Sequence, residues 1–269
     1  MHQNKVVIIT GGSSGIGKAI AHEFLKAGAK VVISGRNSQN LKQTETEFSA
    51  FSGQFLTFCG DVSIENDCKN LIEFTTQNFQ KIDILVNNAG ISMRSLFADT
   101  QPDVIKKVMD INFWGTVYCT KYALPYLLDA KGVVVGISSI AGFKGLPARS
   151  GYSASKFAMH GFLEALRIEN LKTGLHVLIA CPGFTASNIR NAALRGDGTA
   201  QGETPRDEQK MMQPDEVAKH ILKAIEKKKN TLILTTQGKL TVLLNKFFPK
   251  FMDKKVFNHL SKEPDSPFK

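Results

Sequence analysis

The beginning of the chain constrains the fold most strongly. Residues Lys5–Thr10 form a short apolar run rich in β-branched side chains, which is typical of a strand buried on both faces. A glycine-rich stretch, Thr10–Gly17, follows at once, and residues 15–27 carry apolar side chains at helical spacing. This order favours a loop that lets its backbone approach a pyrophosphate at a helix N-terminus, over a tight turn without a ligand.

Short β-rich runs alternate with longer amphipathic stretches along most of the chain. This alternation predicts an α/β fold, a parallel sheet covered by helices on both faces, in a single domain over residues 1–269. The predicted strands are 5–10, 31–33, 55–58, 82–86, 132–137, 176–180 and 231–234. The predicted helices are 15–27, 38–50, 63–79, 101–130, 152–173 and 214–228.

Two segments interrupt this rhythm. Residues 183–213 are rich in glycine and polar residues, and their place after a strand end favours a substrate lid. Residues 237–269 form a C-terminal extension in which 239–252 combine apolar residues with lysines. Such a basic amphipathic stretch can lie on an anionic membrane surface. Packing on a partner subunit or over the pocket is the alternative that we favour here.

Composition excludes several classes of function. The net charge is +10, but aromatic and basic residues do not interleave as in nucleic-acid binders, so we expect no nucleic-acid partner. Neither the six histidines nor the cysteines show metal-ligand spacing, and we expect no metal. The cysteines predict a reduced, cytoplasmic location: Cys59, Cys68, Cys119 and Cys181.

Membrane insertion and secretion are not expected from the sequence. No apolar run approaches the roughly 18 residues of a membrane-spanning helix. The chain enters its first strand directly after residue 4, which leaves no room for a signal peptide.

Tyr152 and Lys156 supply the most informative chemistry. Four residues apart on a helix, they lie on one face. A lysine ammonium beside a phenol favours the phenolate, so we expect the pKa of Tyr152 to fall from about 10. A tyrosine tuned in this way can transfer a proton during interconversion of a carbonyl and an alcohol. The spacing alone also occurs by chance in surface helices.

Five motifs occur in order at suitable strand ends. They are Thr-Gly-x-x-x-Gly-x-Gly at 10–17, Asn-Asn-Ala-Gly at 87–90, Ile-Ser-Ser at 137–139, Tyr-x-x-x-Lys at 152–156 and Pro-Gly at 182–183. Together they resemble the short-chain dehydrogenase/reductase family over residues 5–236. The resemblance implies a Rossmann fold with a doubly wound seven-stranded parallel sheet, a nicotinamide dinucleotide, and a homo-oligomer, either a dimer or a tetramer.

The resemblance also implies the catalytic residues. Ser139 lies 13 residues before Tyr152, the family's usual separation, and Ser138 is its neighbouring competitor. Since side chains alternate along a strand, one of the two serines faces the site, and we choose Ser139. Asn112 matches the asparagine that holds a water against the lysine, and it also predicts a local helix distortion. Catalysis is therefore expected from Ser139, Tyr152, Lys156 and Asn112.

The end of the second strand bears on the choice of cofactor. No acidic residue stands there to accept hydrogen bonds from a ribose 2′-hydroxyl, and Arg36 offers a planar cation for a 2′-phosphate. This favours NADP(H), although Ser14 stands where many NADP(H)-preferring relatives place a basic residue. Asp61 resembles an adenine contact and is also a candidate N-cap of the next helix. The expected cofactor residues are Gly11, Ser13, Ser14, Gly15, Ile16, Gly17, Arg36, Asn37, Asp61, Val62, Asn88, Ala89, Gly90, Tyr152, Lys156, Pro182, Gly183 and Thr185.

The substrate is constrained least. Ser139 and Tyr152 should bind its oxygen, and apolar Met93, Phe143 and Phe184 should border the pocket. This favours a small lipophilic ketone or aldehyde. One alternative is a 3-oxoacyl-thioester (acyl carrier protein) reductase, and one of another class is a non-catalytic NADPH-sensing protein. The extension and the Gly-Arg strand end resemble the family branch near 11β-hydroxysteroid dehydrogenase, whose members associate with membranes.

Overall fold

Seven strands form one parallel sheet in the computed structural model, which describes residues 2–186, 188–202, 211–262, 266 and 268. The strands are β1 (Val6–Thr10), β2 (Lys30–Gly35), β3 (Phe55–Cys59), β4 (Ile84–Asn87), β5 (Val133–Ile137), β6 (His176–Cys181) and β7 (Thr231–Ile233). Their order across the sheet is β3-β2-β1-β4-β5-β6-β7. The predicted seven-stranded parallel sheet is therefore confirmed.

The strand order reverses beside β1. Ile8 of β1 pairs with Val32 of β2 on one side and with Leu85 of β4 on the other. In an open parallel sheet such a reversal leaves a crevice at the carboxyl ends of the strands, where ligands bind. The glycine-rich stretch and residues 87–90 leave the sheet at this point.

Nine α-helices connect and extend the strands in the described part of the chain. They are α1 (Gly15–Lys26), α2 (Ser38–Glu47), α3 (Glu65–Phe79), α4 (Pro102–Met109), α5 (Gly115–Asp129), α6 (Ser150–Glu169), α7 (Pro214–Glu226), α8 (Thr236–Phe247) and α9 (Pro249–Leu260). Successive residues of a strand point to opposite faces of the sheet, so their side chains pack in two separate cores. Ile9 packs in a core with residues of α1 and α7, and Ile8 in a core with residues of α3, α5 and α6. Helices thus cover both faces, as predicted.

The predicted helix over residues 101–130 is divided by an irregular turn. Residues Asp110–Trp114 between α4 and α5 form a π-helix, and the backbone continues in helical conformation on both sides. Asn112 lies in this turn, where its side chain can reach neighbouring backbone. The helix distortion expected at Asn112 is therefore present.

The C-terminal extension forms two helices instead of one continuous amphipathic stretch. Phe248 separates α8 from α9, and Pro249 begins α9. Proline lacks a backbone N–H and fits best in the first turn of a helix, where that N–H would have no partner, so Pro249 suits the start of α9. None of the described helices combines the length and the hydropathy needed to cross a bilayer.

The predicted lid is described only in part, because Ser187 and residues 203–210 lie outside the described residues. Within the described part, Leu194 pairs with Met93 through backbone hydrogen bonds to Ser92 and Arg94. Thr185 pairs with Met212 in the same way. The middle of this segment is thus tied to the loop that follows β4, and the two ends of the segment are tied to each other.

Candidate active site

The glycine loop between β1 and α1 requires glycine where its backbone meets the neighbouring chain. Gly11 and Gly15 have φ angles of +63° and +51°, a region that favours glycine. A Cβ on Gly11 would lie 2.9 Å from Ala89 Cα, and one on Gly17 would lie 2.4 Å from Asn88 Nδ2. Between these glycines lie the other predicted loop residues, Ser13, Ser14 and Ile16. Ser14 stands at the N-cap of α1 without a side-chain capping bond, so the N–H groups of the first turn face the loop.

The loop after β4 is fastened to the glycine loop. Asn88 Nδ2 donates to the carbonyl oxygens of Thr10 at 2.9 Å and Gly11 at 3.0 Å. In return, Thr10 Oγ1 accepts from the backbone N–H groups of Asn88 and Ala89, each at 3.0 Å. The side chain of Asn88 therefore shapes the glycine loop, which leaves its predicted cofactor contact to the backbone.

Predicted cofactor residues at the ends of β2 and β3 contact each other. Arg36 Nη1 lies 3.4 Å from Asp61 Oδ2, and the Arg36 side chain is half-exposed. Burial alone would raise the pKa of Asp61, but hydrogen bonds from Ser63 and Arg36 and the arginine charge hold it below its usual value. Asn37 Oδ1 accepts from two backbone N–H groups and caps α2, and Val62 is buried beside Asp61.

The expectation that Asp61 caps α3 is wrong. The N-cap position belongs to Ile64, three residues later. Asp61 Oδ1 instead accepts from the backbone N–H and the hydroxyl of Ser63, at 2.9 and 2.8 Å. Because β3 already ends at Cys59, a short turn separates the strand from the helix, and the carboxylate closes this turn.

Tyr152 and Lys156 lie on the first half of α6, one turn apart on the same face. Lys156 is buried, and its Nζ donates to the carbonyl oxygen of Ile137 at the end of β5, at 2.9 Å. The Nζ atom lies 5.7 Å from the centre of the Tyr152 ring. Burial lowers the pKa of Lys156 to about 8.

The two serines after β5 point in different directions, as strand alternation requires. Ser138 Oγ is 2.7 Å from His160 Nε2 in the interior. Ser139 lies near Tyr152, whose pKa its side chain lowers, and it accepts at 3.2 Å from the N–H of Ala141, at the start of a short 3₁₀ turn. The structure thus brings Ser139, not Ser138, together with Tyr152.

Asn112 is fully buried and joins three segments around Lys156. Its Oδ1 accepts from the N–H of Ile91 at 2.8 Å, and its Nδ2 donates to Ile91 O at 3.0 Å and to Ser155 Oγ at 2.9 Å. A Cβ on Gly90 would lie 3.1 Å from Asn112 Oδ1 and 3.7 Å from Lys156 Nζ. The absence of a side chain at Gly90 therefore leaves room between the amide and the ammonium.

The remaining predicted residues surround this group at the same edge of the sheet. Thr185, after Pro182, is buried, and its Oγ1 donates to Gly183 O at 3.2 Å. Among the predicted substrate contacts, the Met93 side chain is fully buried in a small cluster against which Tyr152 packs. Phe143 packs its ring edge-to-face on His160 with 4.6 Å between ring centres, and Phe184 is 43% exposed.

The family model described as short chain dehydrogenase matches residues 5–197. The chain belongs to the short-chain dehydrogenase family. This short-chain dehydrogenase is therefore an oxidoreductase that acts on CH–OH groups and uses a nicotinamide cofactor. The matched region covers the glycine loop and every catalytic residue expected from the sequence.

Curated relatives of this dehydrogenase carry two kinds of name. It is 43% identical to "11-beta-hydroxysteroid dehydrogenase-like 2" of Arabidopsis thaliana over 187 residues. These residues are 69% of this chain and 60% of the length of that protein. It is 35% identical over 272 residues to "Dehydrogenase/reductase SDR family member 7B" of Bos taurus, which covers 98% of this chain and 84% of that protein.

Solved structures with a similar fold come from bacteria. A short-chain dehydrogenase from Streptomyces avermitilis has a TM-score of 0.81 at 25% identity, over 96% of this chain and 98% of its own. A short-chain dehydrogenase/reductase from Burkholderia phymatum in complex with NAD has a TM-score of 0.82 at 22% identity, over 93% and 95% of the two chains. The second similarity concerns the fold alone.

The pKa of Tyr152 differs from the sequence-based expectation. Burial raises it above the usual value, and the hydrogen bond with Ser139 and the charge of Arg149 offset only part of this effect. The expectation of a lowered Tyr152 pKa is therefore wrong for this arrangement, in which burial of the phenol is the largest effect. The phenol of Tyr152 carries its proton at neutral pH.

The sequence did not single out the buried contacts of His160. Besides Ser138, its Nε2 approaches Cys181 Sγ at 3.7 Å. Burial and the nearby Lys156 charge lower the pKa of His160 to about 4, and burial raises the pKa of the Cys181 thiol to about 12. Both groups are thus neutral and hold Ser138 away from the site. The spacing of Lys156 and His160, four residues apart on one helix, is the signal that could have placed His160 on the same face as Lys156.

We expect the Lys156→Met variant to be more stable than the wild type at pH 7, without added dinucleotide, by about 1–3 kcal/mol. The buried ammonium has a neutral carbonyl as its hydrogen-bond partner, so the folded state disfavours its charge. From about pH 8 to about pH 10.4 the folded lysine loses its proton while the unfolded one keeps it, so the wild type gains stability as the pH rises.

Urea unfolding of both proteins at pH 7 and pH 10 measures this difference, which should narrow at the higher pH. Lys121→Met, at an exposed position of α5, is the control and should show little change at either pH. A stability difference between wild type and Lys156→Met that stays the same at both pH values would contradict the lowered pKa.

Proposed function

We propose that this protein is an NADPH-dependent oxidoreductase that interconverts a carbonyl and an alcohol on a small lipophilic substrate. The observation that carries the proposal is the convergence of Ser139, Tyr152, Lys156 and Asn112 at the edge of the sheet where the glycine loop lies. The side chains of Ser139 and Tyr152 lie near each other there, and the buried ammonium of Lys156 lies 5.7 Å from the centre of the tyrosine ring. This arrangement suits proton transfer to an oxygen on which negative charge develops.

The residues around the glycine loop fit a nicotinamide dinucleotide. The loop brings its backbone close to the uncapped N-terminus of α1, which suits a pyrophosphate. The buried Oγ of Ser34, near the end of β2, has no hydrogen-bond partner among the described protein atoms, so it has a donor to offer a ligand. We propose that Lys156 holds the nicotinamide ribose and that Thr185 contacts the carboxamide.

The proposed mechanism assigns one role to each side chain. When bound, the reduced nicotinamide supplies a hydride to the carbonyl carbon. Tyr152 keeps its proton at neutral pH and donates it to the carbonyl oxygen, while the Ser139 hydroxyl donates a hydrogen bond to the same oxygen. The positive charge of Lys156 stabilises the resulting phenolate, and Asn112 positions water that returns a proton.

Arg36 supports NADP(H) as the cofactor. Its guanidinium is half-exposed at the end of β2, next to the N-terminus of α2, where a 2′-phosphate would meet positive charge. Lys18, the basic residue nearest to the glycine loop in sequence, forms an ion pair with Glu47. The selection for a 2′-phosphate is therefore assigned to Arg36. The NAD in the Burkholderia protein is a property of that protein.

Apolar surroundings support a lipophilic substrate. Phe143 and Phe184 lie on the loops that follow β5 and β6, and Leu194 in the middle of segment 183–213 pairs with Met93. We propose that 183–213 acts as the substrate lid of the single domain. The relatives named after 11β-hydroxysteroid dehydrogenase support an apolar substrate.

We also propose an oligomeric state and a cellular location for the protein. Large apolar side chains are exposed on the π-turn and on α6, including Trp114, Phe157 and Ile168, and these suit contacts in a dimer or tetramer. The four free cysteines support a cytoplasmic location. We also propose that the C-terminal extension contacts a membrane surface.

The rate of NADPH oxidation, measured with each compound of a substrate panel, separates the candidate functions. We expect turnover of steroid or aromatic ketones and aldehydes, and little turnover of acetoacetyl thioesters. The reverse preference would favour the 3-oxoacyl-thioester reductase. Tight NADPH binding without oxidation by any compound would favour the non-catalytic sensor.

We expect Tyr152→Phe to lower turnover by about 100-fold or more, because it removes the proton donor and leaves the ring in place. NADPH affinity, measured by fluorescence titration, should stay close to that of the wild type. Tyr126→Phe, at an exposed position of α5, is the matched control. A fully active Tyr152→Phe enzyme would remove the assignment.

We expect Arg36→Ala to raise the KM for NADPH about tenfold or more, because it removes a charge-assisted contact to the 2′-phosphate. The KM for NADH should change little. Steady-state kinetics with both cofactors measure the effect, and Lys42→Ala on the exposed face of α2 serves as the control. An equal loss with both cofactors would show that Arg36 contributes no selection for the phosphate.

A further inference from the structure

His160 is a buried polar residue that the proposed mechanism does not use. It lies on α6 one turn after Lys156 and two turns after Tyr152, so the three side chains share one face of the helix. Only 7% of His160 is exposed. Burying an imidazole costs free energy unless its neighbours satisfy its polar atoms, so the contacts of the ring indicate what it does.

The imidazole reaches the ends of two neighbouring strands. Its Nε2 atom lies 2.7 Å from Ser138 Oγ, directly after β5, and 3.7 Å from Cys181 Sγ, in the last residue of β6. Ser138 immediately precedes Ser139 in the chain. Cys181 is followed by the loop that carries Thr185. His160 therefore contacts both strand ends just before each of them delivers residues to the site.

The short 3₁₀ turn that begins at Ser139 also lies against the imidazole. A Cβ on Gly142 would lie 2.5 Å from His160 Nε2 and 2.7 Å from its Cε1, so a larger residue would displace the ring. Phe143, the next residue, packs edge-to-face on the same ring, with 4.6 Å between the ring centres. The ring of His160 thus contacts the chain on both sides of Ser139, at Ser138 before it and at the end of the turn after it.

Lys156 connects the same helix to the same strand end. Its Nζ donates to Ile137 O at 2.9 Å, one residue before Ser138. Two consecutive residues at the end of β5 are therefore joined to two successive turns of α6, Ile137 to Lys156 and Ser138 to His160. These two contacts restrict how Ser139 can move relative to α6.

The imidazole makes these contacts without adding a charge. Burial and the positive charge of Lys156 lower the pKa of His160 to about 4, so the ring is neutral near pH 7. Burial raises the pKa of the Cys181 thiol to about 12, so the thiol is neutral as well. A lysine or arginine in place of His160 would put a second positive charge one helix turn from Lys156, which would oppose the charged form of that lysine.

Stability alone does not require a polar pair at this place. The core to which Cys181 belongs takes apolar side chains from α6, among them Met159 and Leu163. Replacing both members of a buried hydrogen-bonded pair by apolar side chains of similar shape can be nearly neutral for stability. A hydrogen bond differs from apolar contact because it has a preferred length and direction. The Ser138–His160 pair is therefore suited to specify a position.

We propose that His160 is a positioning residue, which fixes Ser139 relative to the proton-transferring side chains of α6 through its contacts with Ser138 and with the 3₁₀ turn. It acts through these neighbours and not by contact with the substrate. The catalytic consequence rests on the carbonyl–alcohol function proposed above. The fixing of the turn does not, because it depends only on contacts within the protein.

Hydrogen exchange of the full chain, measured by mass spectrometry, tests the fixing of the turn. We expect His160→Leu, which removes the ring nitrogens, to speed exchange about tenfold or more in peptides that cover residues 138–146. His160→Gln, whose amide can take the place of Nε2, should exchange as the wild type does, and so should the control His220→Leu, at an exposed position of α7. Unchanged exchange of this segment in His160→Leu would overturn the proposal. Equally faster exchange in all parts of the chain would do the same, because it would assign His160 to general stability.

Turnover in two backgrounds tests the consequence for catalysis and keeps the two proposals apart. We expect His160→Leu to lower kcat about tenfold or more with little change in NADPH affinity, and His160→Gln to restore most of the loss. In a Ser139→Ala background His160→Leu should have little further effect, because the hydroxyl that it positions is gone. The same fold loss in both backgrounds would overturn action through Ser139. Faster exchange of the turn in His160→Leu, in a protein whose wild type oxidises NADPH with no compound of the panel, would overturn the proposed function and leave the fixing of the turn intact.

Discussion

The parallel direction of all seven strands is the constraint on which the site depends. The connection between two parallel strands crosses one face of the sheet and returns to its starting edge. Every loop that follows a strand therefore emerges at the same edge of the sheet. This edge collects the glycine loop after β1, Asn88 after β4, Ser139 after β5 and Thr185 after β6. Residues 78 positions apart in the chain, such as Thr10 and Asn88, are thereby close enough to share hydrogen bonds.

The folded chain favours the neutral forms of the two ionisable groups at this edge. Burial disfavours both the charged form of Lys156 and the phenolate of Tyr152, so their pKa values move toward the neutral forms. The interior tolerates this because Ile137 O, Ser139 and the Asn112 amide provide polar neighbours for the two groups. A site in which the ammonium costs stability and the phenol keeps its proton is well suited to proton donation, and poorly suited to a purely structural role.

The sequence predicted those features that follow from local pattern. Alternation and β-branched runs located all seven strands, and the strand–loop–helix order around Gly11 located the glycine loop. Strand alternation allowed only one of Ser138 and Ser139 to face the site, and the family's usual separation from Tyr152 favoured Ser139. The distortion at Asn112 followed from its low preference for a helix interior. Features that depend on distant contacts were missed or wrong. His160 meets Ser138 only because α6 lies across β5, and Asp61 lost its expected capping role because the chain takes an additional turn before α3. The pKa of Tyr152 depends on burial, which no spacing of residues reports.

The proposed catalytic residues lie within the region that the family model matches, and the C-terminal helices lie outside it. The family model ends at residue 197, and the described helices α7 to α9 lie beyond it. Proton transfer requires a few atoms at fixed distances, which rigid strand ends and α6 supply. The contacts from Asn245 and Asp253 to the loop after Ser139 connect these two parts, so a change in the surroundings of α8 and α9 acts on the segment that begins at the catalytic serine.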